Sequence, residues 1–90
     1  MTTIPKVLRV RSAGDYKIYA YFNDGSIHLY DMAPSIEKGG VFERIHDKAV
    51  FDSTLTVMNG TIAWDLTGDH DPKQCIDIDP LVVYASPAVR

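Results

Sequence analysis

Residues 16–30 read YKIYAYFNDGSIHLY, and the place where this stretch turns decides the fold. Tyr, Ile and Phe suit a pleated, half-buried surface, so both flanks read as strands. Between them lies Asn23-Asp24-Gly25-Ser26. An Asp-Gly pair favours the two-residue type I′ turn, because both central residues need positive φ. With Asp24 and Gly25 as that turn, partners follow by counting outward. Phe22 faces Ile27, Tyr21 faces His28, Ala20 faces Leu29 and Tyr19 faces Tyr30. Directly opposed residues share a face. One face is then Ile18, Ala20, Phe22, Ile27 and Leu29, which reads as core. The other is Tyr19, Tyr21, His28 and Tyr30, aromatic with polar tips.

Upstream, residues 6–13 alternate, with Leu8 and Val10 on one side and Arg9 and Arg11 on the other. Period two marks a half-buried strand, and Ala13-Gly14-Asp15 supplies a turn. Downstream, Ala33-Pro34-Ser35 breaks the strand, since proline cannot donate to a ladder. Phe42, Ile45 and Ala49 then recur at helical spacing. A short helix is expected over 41–46 and a second helical turn over 47–51, capped by Asp47. Asn59-Gly60 is the strongest short hairpin signal. It pairs Val57 with Ile62, Thr56 with Ala63 and Leu55 with Trp64. The side lined by Thr54, Thr56, Thr61 and Asp65 is expected to be wet. Asp71-Pro72 has the form of a helix start. Residues 80–85 read as a last strand or a docked arm, and 86–90 as frayed.

The expected fold is α+β: a small antiparallel sheet of two β-hairpins plus an N-terminal strand, packed on one or two short helices. Residues 1–76 form the domain and 77–90 a C-terminal tail or docked arm. The expected core is Leu8, Val10, Ile18, Phe22, Ile27, Leu29, Phe42, Ile45, Phe51, Leu55, Val57, Ile62 and Trp64. Ninety residues, 46% apolar and 23% charged, suffice for one globular domain with a thin stability margin. Dimerisation would bury more surface.

Several motifs, in order, resemble the bacterial family called domain of unknown function 2442. They are Asp15-Tyr16 leading into Phe22-Asn23-Asp24-Gly25, and Tyr30-Asp31-Met32. Next come Gly40-Val41-Phe42 with Ile45, Asp47 and Phe51, and then Ile62-Ala63-Trp64 with Gly68-Asp69 and Asp71-Pro72. They run from about Pro5 to Ile76, and residues 77–90 match no family pattern. The resemblance implies a compact α+β fold with an antiparallel sheet. Some relatives carry a helix-turn-helix domain after this one; the 90 residues leave no room for it, so DNA binding is not expected to carry over. Others are encoded beside another small domain in arrangements suspected of being toxin–antitoxin pairs, which implies a protein-binding role.

The net charge of −3 argues against a nucleic-acid binder, although Lys6, Arg9, Arg11 and Lys17 group near the N-terminus. A solvated strand face explains that group better. One cysteine, Cys75, allows no disulfide within the chain and suits a reducing compartment. No apolar run reaches the roughly 20 residues of a membrane span, and Met1 to Lys6 lacks the apolar core of a secretory signal. The expected location is the cytoplasm. Nucleophile and phosphate-loop motifs are missing, so no catalytic residue, cofactor or metal ligand is assigned. Asp69-His70-Asp71 is the alternative, a metal-dependent or acid–base site. Turn formation and capping explain those residues more simply. Tyr and His are amphipathic and enriched at interfaces. The expected function is therefore a non-enzymatic interaction module, antitoxin-like or regulatory. It would contact a protein partner or a second copy through Tyr19, Tyr21, His28 and Tyr30.

Overall fold

The computed structural model describes residues 4–68 and 75–90. Strands β1 (Val7–Gly14), β2 (Lys17–Phe22) and β3 (Ile27–Asp31) form one antiparallel sheet in that order. Strands β4 (Leu55–Met58), β5 (Thr61–Asp65) and β6 (Cys75–Asp77) form a second. Helix α1 (Ala33–Lys38), a 3-10 helix (Gly40–Ile45) and helix α2 (Lys48–Thr54) connect the sheets, and α3 (Pro80–Tyr84) follows β6. The fold is α+β, with two small sheets where one was expected. They meet through β1, whose Val7 N–H donates to Gly60 O at 2.8 Å.

The first reversal lies one residue later than expected. Asp15 and Tyr16, at φ 53° and 64°, join Gly14 to Lys17. Pairing of β1 with β2 also steps between Val7 and Arg9. Leu8 is the extra residue of that bulge. A bulge breaks period-two alternation, so Leu8 leaves the expected core and is 65% exposed, while Val7 is buried.

The second reversal corrects the reading of the first hairpin. Gly25 N donates to Phe22 O at 3.1 Å and Phe22 N to Ser26 O at 2.9 Å. Gly25 alone of the loop residues takes positive φ, 87°. The loop is therefore Asn23-Asp24-Gly25, a turn followed by a left-handed glycine, and not a two-residue Asp24-Gly25 turn. The Asp24 carboxylate accepts from Ser26 N at 2.9 Å and from the Ser26 hydroxyl at 2.5 Å. This side-chain turn keeps Asp24 out of the left-handed region. The observed pairs are Tyr21 with Ile27, Ala20 with His28, Tyr19 with Leu29 and Ile18 with Tyr30, a slip of one residue.

A slip of one moves every side chain of a strand to the other face. His28 and Tyr30 thus share the core face with Ile18, Ala20 and Phe22. Ile27 and Leu29 leave the expected core for the opposite face. The Asn59-Gly60 hairpin has the expected register, with both turn residues at positive φ. Its expected wet side is not wet on β5, where all five residues are buried. Strand β6 pairs along β5, and the Thr61 hydroxyl donates to Ile78 O.

Between the sheets the chain is more helical than expected. Pro34 stops β3 from continuing but suits the first turn of α1, where the missing N–H is an orphan in any case. The helix expected over 41–46 is the 3-10 helix. Asp47 caps α2 as expected, accepting from Ala49 N at 2.8 Å. Residues 80–84 form α3 rather than a strand, capped by Asp79. The last residues are paired, not frayed. Leu29 N donates to Pro87 O and Ile27 N to Arg90 O, both at 3.0 Å, and Ala88 bridges His28. Strand β6 crosses the expected boundary at 76, and Val83 is fully buried. One cluster holds Val7, Ile18, Phe22, Met32, Ile36, Ile45, Phe51, Ile62, Trp64, Ile76 and Val83.

Candidate interaction surface

The two faces of the first sheet differ in what covers them. The core face carries Val7, Ile18, Ala20 and Phe22 and packs into the buried cluster. Across β1, β2 and β3 the opposite face presents Arg9 and Arg11, then Lys17, Tyr19 and Tyr21, then Ile27 and Leu29. Tyr19, Tyr21, Ile27 and Leu29 are half-buried, yet none belongs to the core cluster or packs on it. Residues 87–90 run along the β3 edge of this face, with Ile27 N donating to Arg90 O and Leu29 N to Pro87 O.

The cations of this face are arranged by register. Arg9 pairs with Tyr21 and Arg11 with Tyr19. Each guanidinium lies over its tyrosine ring, 5.0 Å and 5.4 Å from the centroids. That placement is a cation–π contact, worth about 0.5–1 kcal/mol at an exposed site. Among the described residues, Arg9, Arg11 and Lys17 form no ion pair. The only one there, Lys48–Asp15, lies at the β1–β2 turn, 3.2 Å long and exposed. A locally positive face therefore sits on a chain of net charge −3.

Register divides the four residues expected to form one surface. Tyr19 and Tyr21 lie on the open face; His28 and Tyr30 do not. His28 is 5% exposed and is boxed by Phe22 and Tyr84, with ring centroids 5.0 Å and 4.7 Å away. Its Nδ1 donates to Ser86 O at 2.8 Å, a carbonyl being only an acceptor, and its Nε2 is 3.0 Å from Ser26 Oγ. Tyr30 packs on the core, and burial raises its hydroxyl pKa. The Tyr84 hydroxyl donates to Asp24 at 2.5 Å. Hydrogen bonds from Ser26 and Tyr84 lower the Asp24 pKa to about 2, and the bond to Asp24 raises that of Tyr84. These contacts clasp the C-terminal arm to the β2–β3 loop. Their role is structural.

Alternation along the sequence puts Arg9 and Arg11 on a solvated strand face without connecting them with the tyrosines. The two-residue spacing on both strands was the available signal. Ile27 and Leu29 join the surface only in the observed register, one residue from the one the Asp24-Gly25 signal implies. Asp69, His70 and Asp71, and the helix start at Asp71-Pro72, lie outside the described residues. Among the described residues no group of three metal-ligating side chains converges and no pocket forms. There, too, no helix is long and apolar enough to cross a membrane.

A family model described as protein of unknown function (DUF2442) matches residues 7–86. The chain belongs to that family. The DUF2442 match begins at the first residue of β1 and extends past residue 76, where the recognised motifs stopped, through β6 and α3 to Ser86. Tyr84 and Ser86, which hold the β2–β3 loop and His28, lie inside the matched region, whereas residues 87–90, which pair with β3, lie beyond it. No curated protein and no solved structure matches the chain.

Proposed function

We propose that this DUF2442 chain is a non-enzymatic protein-interaction domain whose contact surface is the open face of β1, β2 and β3. One observation carries this reading. Tyr19, Tyr21, Ile27 and Leu29 form a continuous aromatic and aliphatic strip, outside the core and bordered by arginines. Tyr and Arg are, with Trp, enriched among the residues that dominate binding energy at protein interfaces. Two half-buried apolar side chains beside them add the apolar centre such surfaces use. An antitoxin-like or regulatory partnership, or a homodimer through the same face, is the form this role takes. The single thiol suits the reducing cytoplasm of a bacterial cell.

The test compares the wild-type chain with a Tyr21→Ala, Leu29→Asp double variant and with Val41→Asp. Val41 is 63% exposed and lies in the 3-10 helix. Circular dichroism establishes that all three fold. Sedimentation and quantitative recovery of bound proteins from the native cell are then measured. The double variant is expected to lose its partner or its self-association, and Val41→Asp to keep both. Unchanged behaviour of the double variant removes this face as the contact surface.

A further inference from the structure

The open face is graded across its strands, and the gradient defines the shape and chemistry of what fits it. Guanidinium groups stand on β1, tyrosine rings on β2 and aliphatic side chains on β3. From β1 to β3 is two strand spacings, about 9.6 Å. That width matches an α-helix with its side chains, roughly 10 Å across. Along β1, Arg9 and Arg11 are two residues apart, about 6.7 Å. On a helix, residues i and i+4 rise by about 6 Å along one edge.

We propose that the open face seats an acidic amphipathic helix of a protein partner. Its carboxylates, four residues apart along one edge, meet Arg9 and Arg11, and its apolar stripe lies on Tyr19, Tyr21, Ile27 and Leu29. The proposal rests on the open face being the contact surface. Charge complementarity selects an acidic occupant: among the described residues of β1, β2 and β3 the face carries Arg9, Arg11 and Lys17 against one side-chain carboxylate, Asp31, opposite Lys17. Geometry selects a carboxylate-bearing protein over single-stranded nucleic acid. A guanidinium takes one face of each ring, which removes the open face a base needs to stack; the apolar stripe of a helix needs no stacking and packs on the ring edges and on Ile27 and Leu29. A guanidinium held in that way presents its N–H fork to a carboxylate. The net charge of −3 also opposes the long-range attraction of a polyanion.

The experiment uses the full chain and three fluorescent probes. The first is a helical peptide with Glu at i, i+4 and i+8 on one edge of a leucine stripe. The second is the same peptide with each Glu replaced by Gln. The third is an oligodeoxythymidine. Anisotropy gives affinity, and amide shifts of residues 17–22 locate the contact. The Glu peptide is expected to bind about tenfold more tightly than the Gln peptide, and to lose that advantage in Arg9→Gln, Arg11→Gln. Raising salt removes it as well. Equal binding of the Glu and Gln peptides overturns the acidic occupant and leaves the contact surface standing. No shift on β2 with any peptide overturns the helix as occupant. Tighter, arginine-dependent binding of the oligonucleotide overturns the choice of a protein. Self-association that the Glu peptide cannot displace makes the occupant a second copy. Failure of the Tyr21→Ala, Leu29→Asp experiment is a separate result, which removes the surface itself.

Discussion

Tyr16 has an unfavourable backbone conformation that its side chain sustains. Its φ of 64° is left-handed, which costs a residue with a Cβ roughly 1–2 kcal/mol. Against that, its ring meets Phe51 edge-on at 5.3 Å, its hydroxyl donates to His46 O, and Lys48 Nζ lies 5.6 Å from the ring centre. Its own carbonyl accepts from Met32 N at 2.9 Å, fixing the start of α1 to the turn. Replacement by glycine removes the backbone cost and the side chain together. Full burial of a large side chain is worth about 1.5–3 kcal/mol; half-buried Tyr16 gains part of that, its edge-on contact with Phe51 adds about 0.5–1.5 kcal/mol, and the hydrogen bond adds about 1 kcal/mol. The side-chain contributions win. Tyr16→Gly is expected to lose about 1–2 kcal/mol and Tyr16→Phe about 1 kcal/mol, read from urea midpoints at constant slope. A glycine variant as stable as the wild type would show that the backbone, not the ring, sets this turn. Nothing local announces left-handed backbone at a tyrosine, and the sequence reading placed the turn at 13–15 instead.

At the scale of elements, the two hairpins show what was legible and why. Asn59-Gly60 and Asp24-Gly25 look alike, and only the first makes the two-residue turn. Asp24 has two carboxylate oxygens, one engaged by Ser26 and the other by Tyr84. Tyr84 lies 60 residues away in the chain, so no local rule contains it. Hence the β1–β2 half of the surface, Arg9, Arg11, Tyr19 and Tyr21, was readable from alternation, and the β3 half was not. The same contact predicts a pH dependence. The Asp24 pKa is lowered from 3.8 to about 2. A carboxyl depressed by folding contributes stability above its unfolded value, and that contribution fades as pH falls through the folded one. The relevant window runs from about 3.8 down to about 2. In Tyr84→Phe the Asp24 carboxyl, followed by NMR titration, is expected to rise toward 3.8 but stay below it, because Ser26 still donates. The acid-side loss of stability becomes shallower. An unshifted Asp24 would refute the clasp between α3 and the β2–β3 loop.

At the scale of the whole molecule, alternation and turn signals read strand by strand could not say that the strands divide into two sheets. That division depends on which strands meet at β1, and on α2 carrying Phe51 between them. Phe51 is 1% exposed, with Tyr16 at 5.3 Å on one side and Trp64 at 5.3 Å on the other. It thus touches the β1–β2 turn of the first sheet and the central strand of the second. Neither sheet has a separate core, since residues of both belong to one cluster. A domain of ninety residues has a total stability of about 5–13 kcal/mol. Phe51→Ala removes about 3–5 kcal/mol of that, which is enough to bring the chain close to unfolding. Because the cavity opens against both sheets, they are expected to lose stability together in one transition. Trp64, on the central strand of the second sheet, is the only tryptophan, so its fluorescence reports unfolding from that side of the shared core. Amide exchange at Ile18 and Ala20 reports the first. In the wild type and in Phe51→Ala the two probes should give the same unfolding free energy, shifted equally by the substitution. If Ile18 and Ala20 keep their protection while the Trp64 transition moves, the first sheet stands without the second, and the open face can be studied on residues 4–31 apart from the rest.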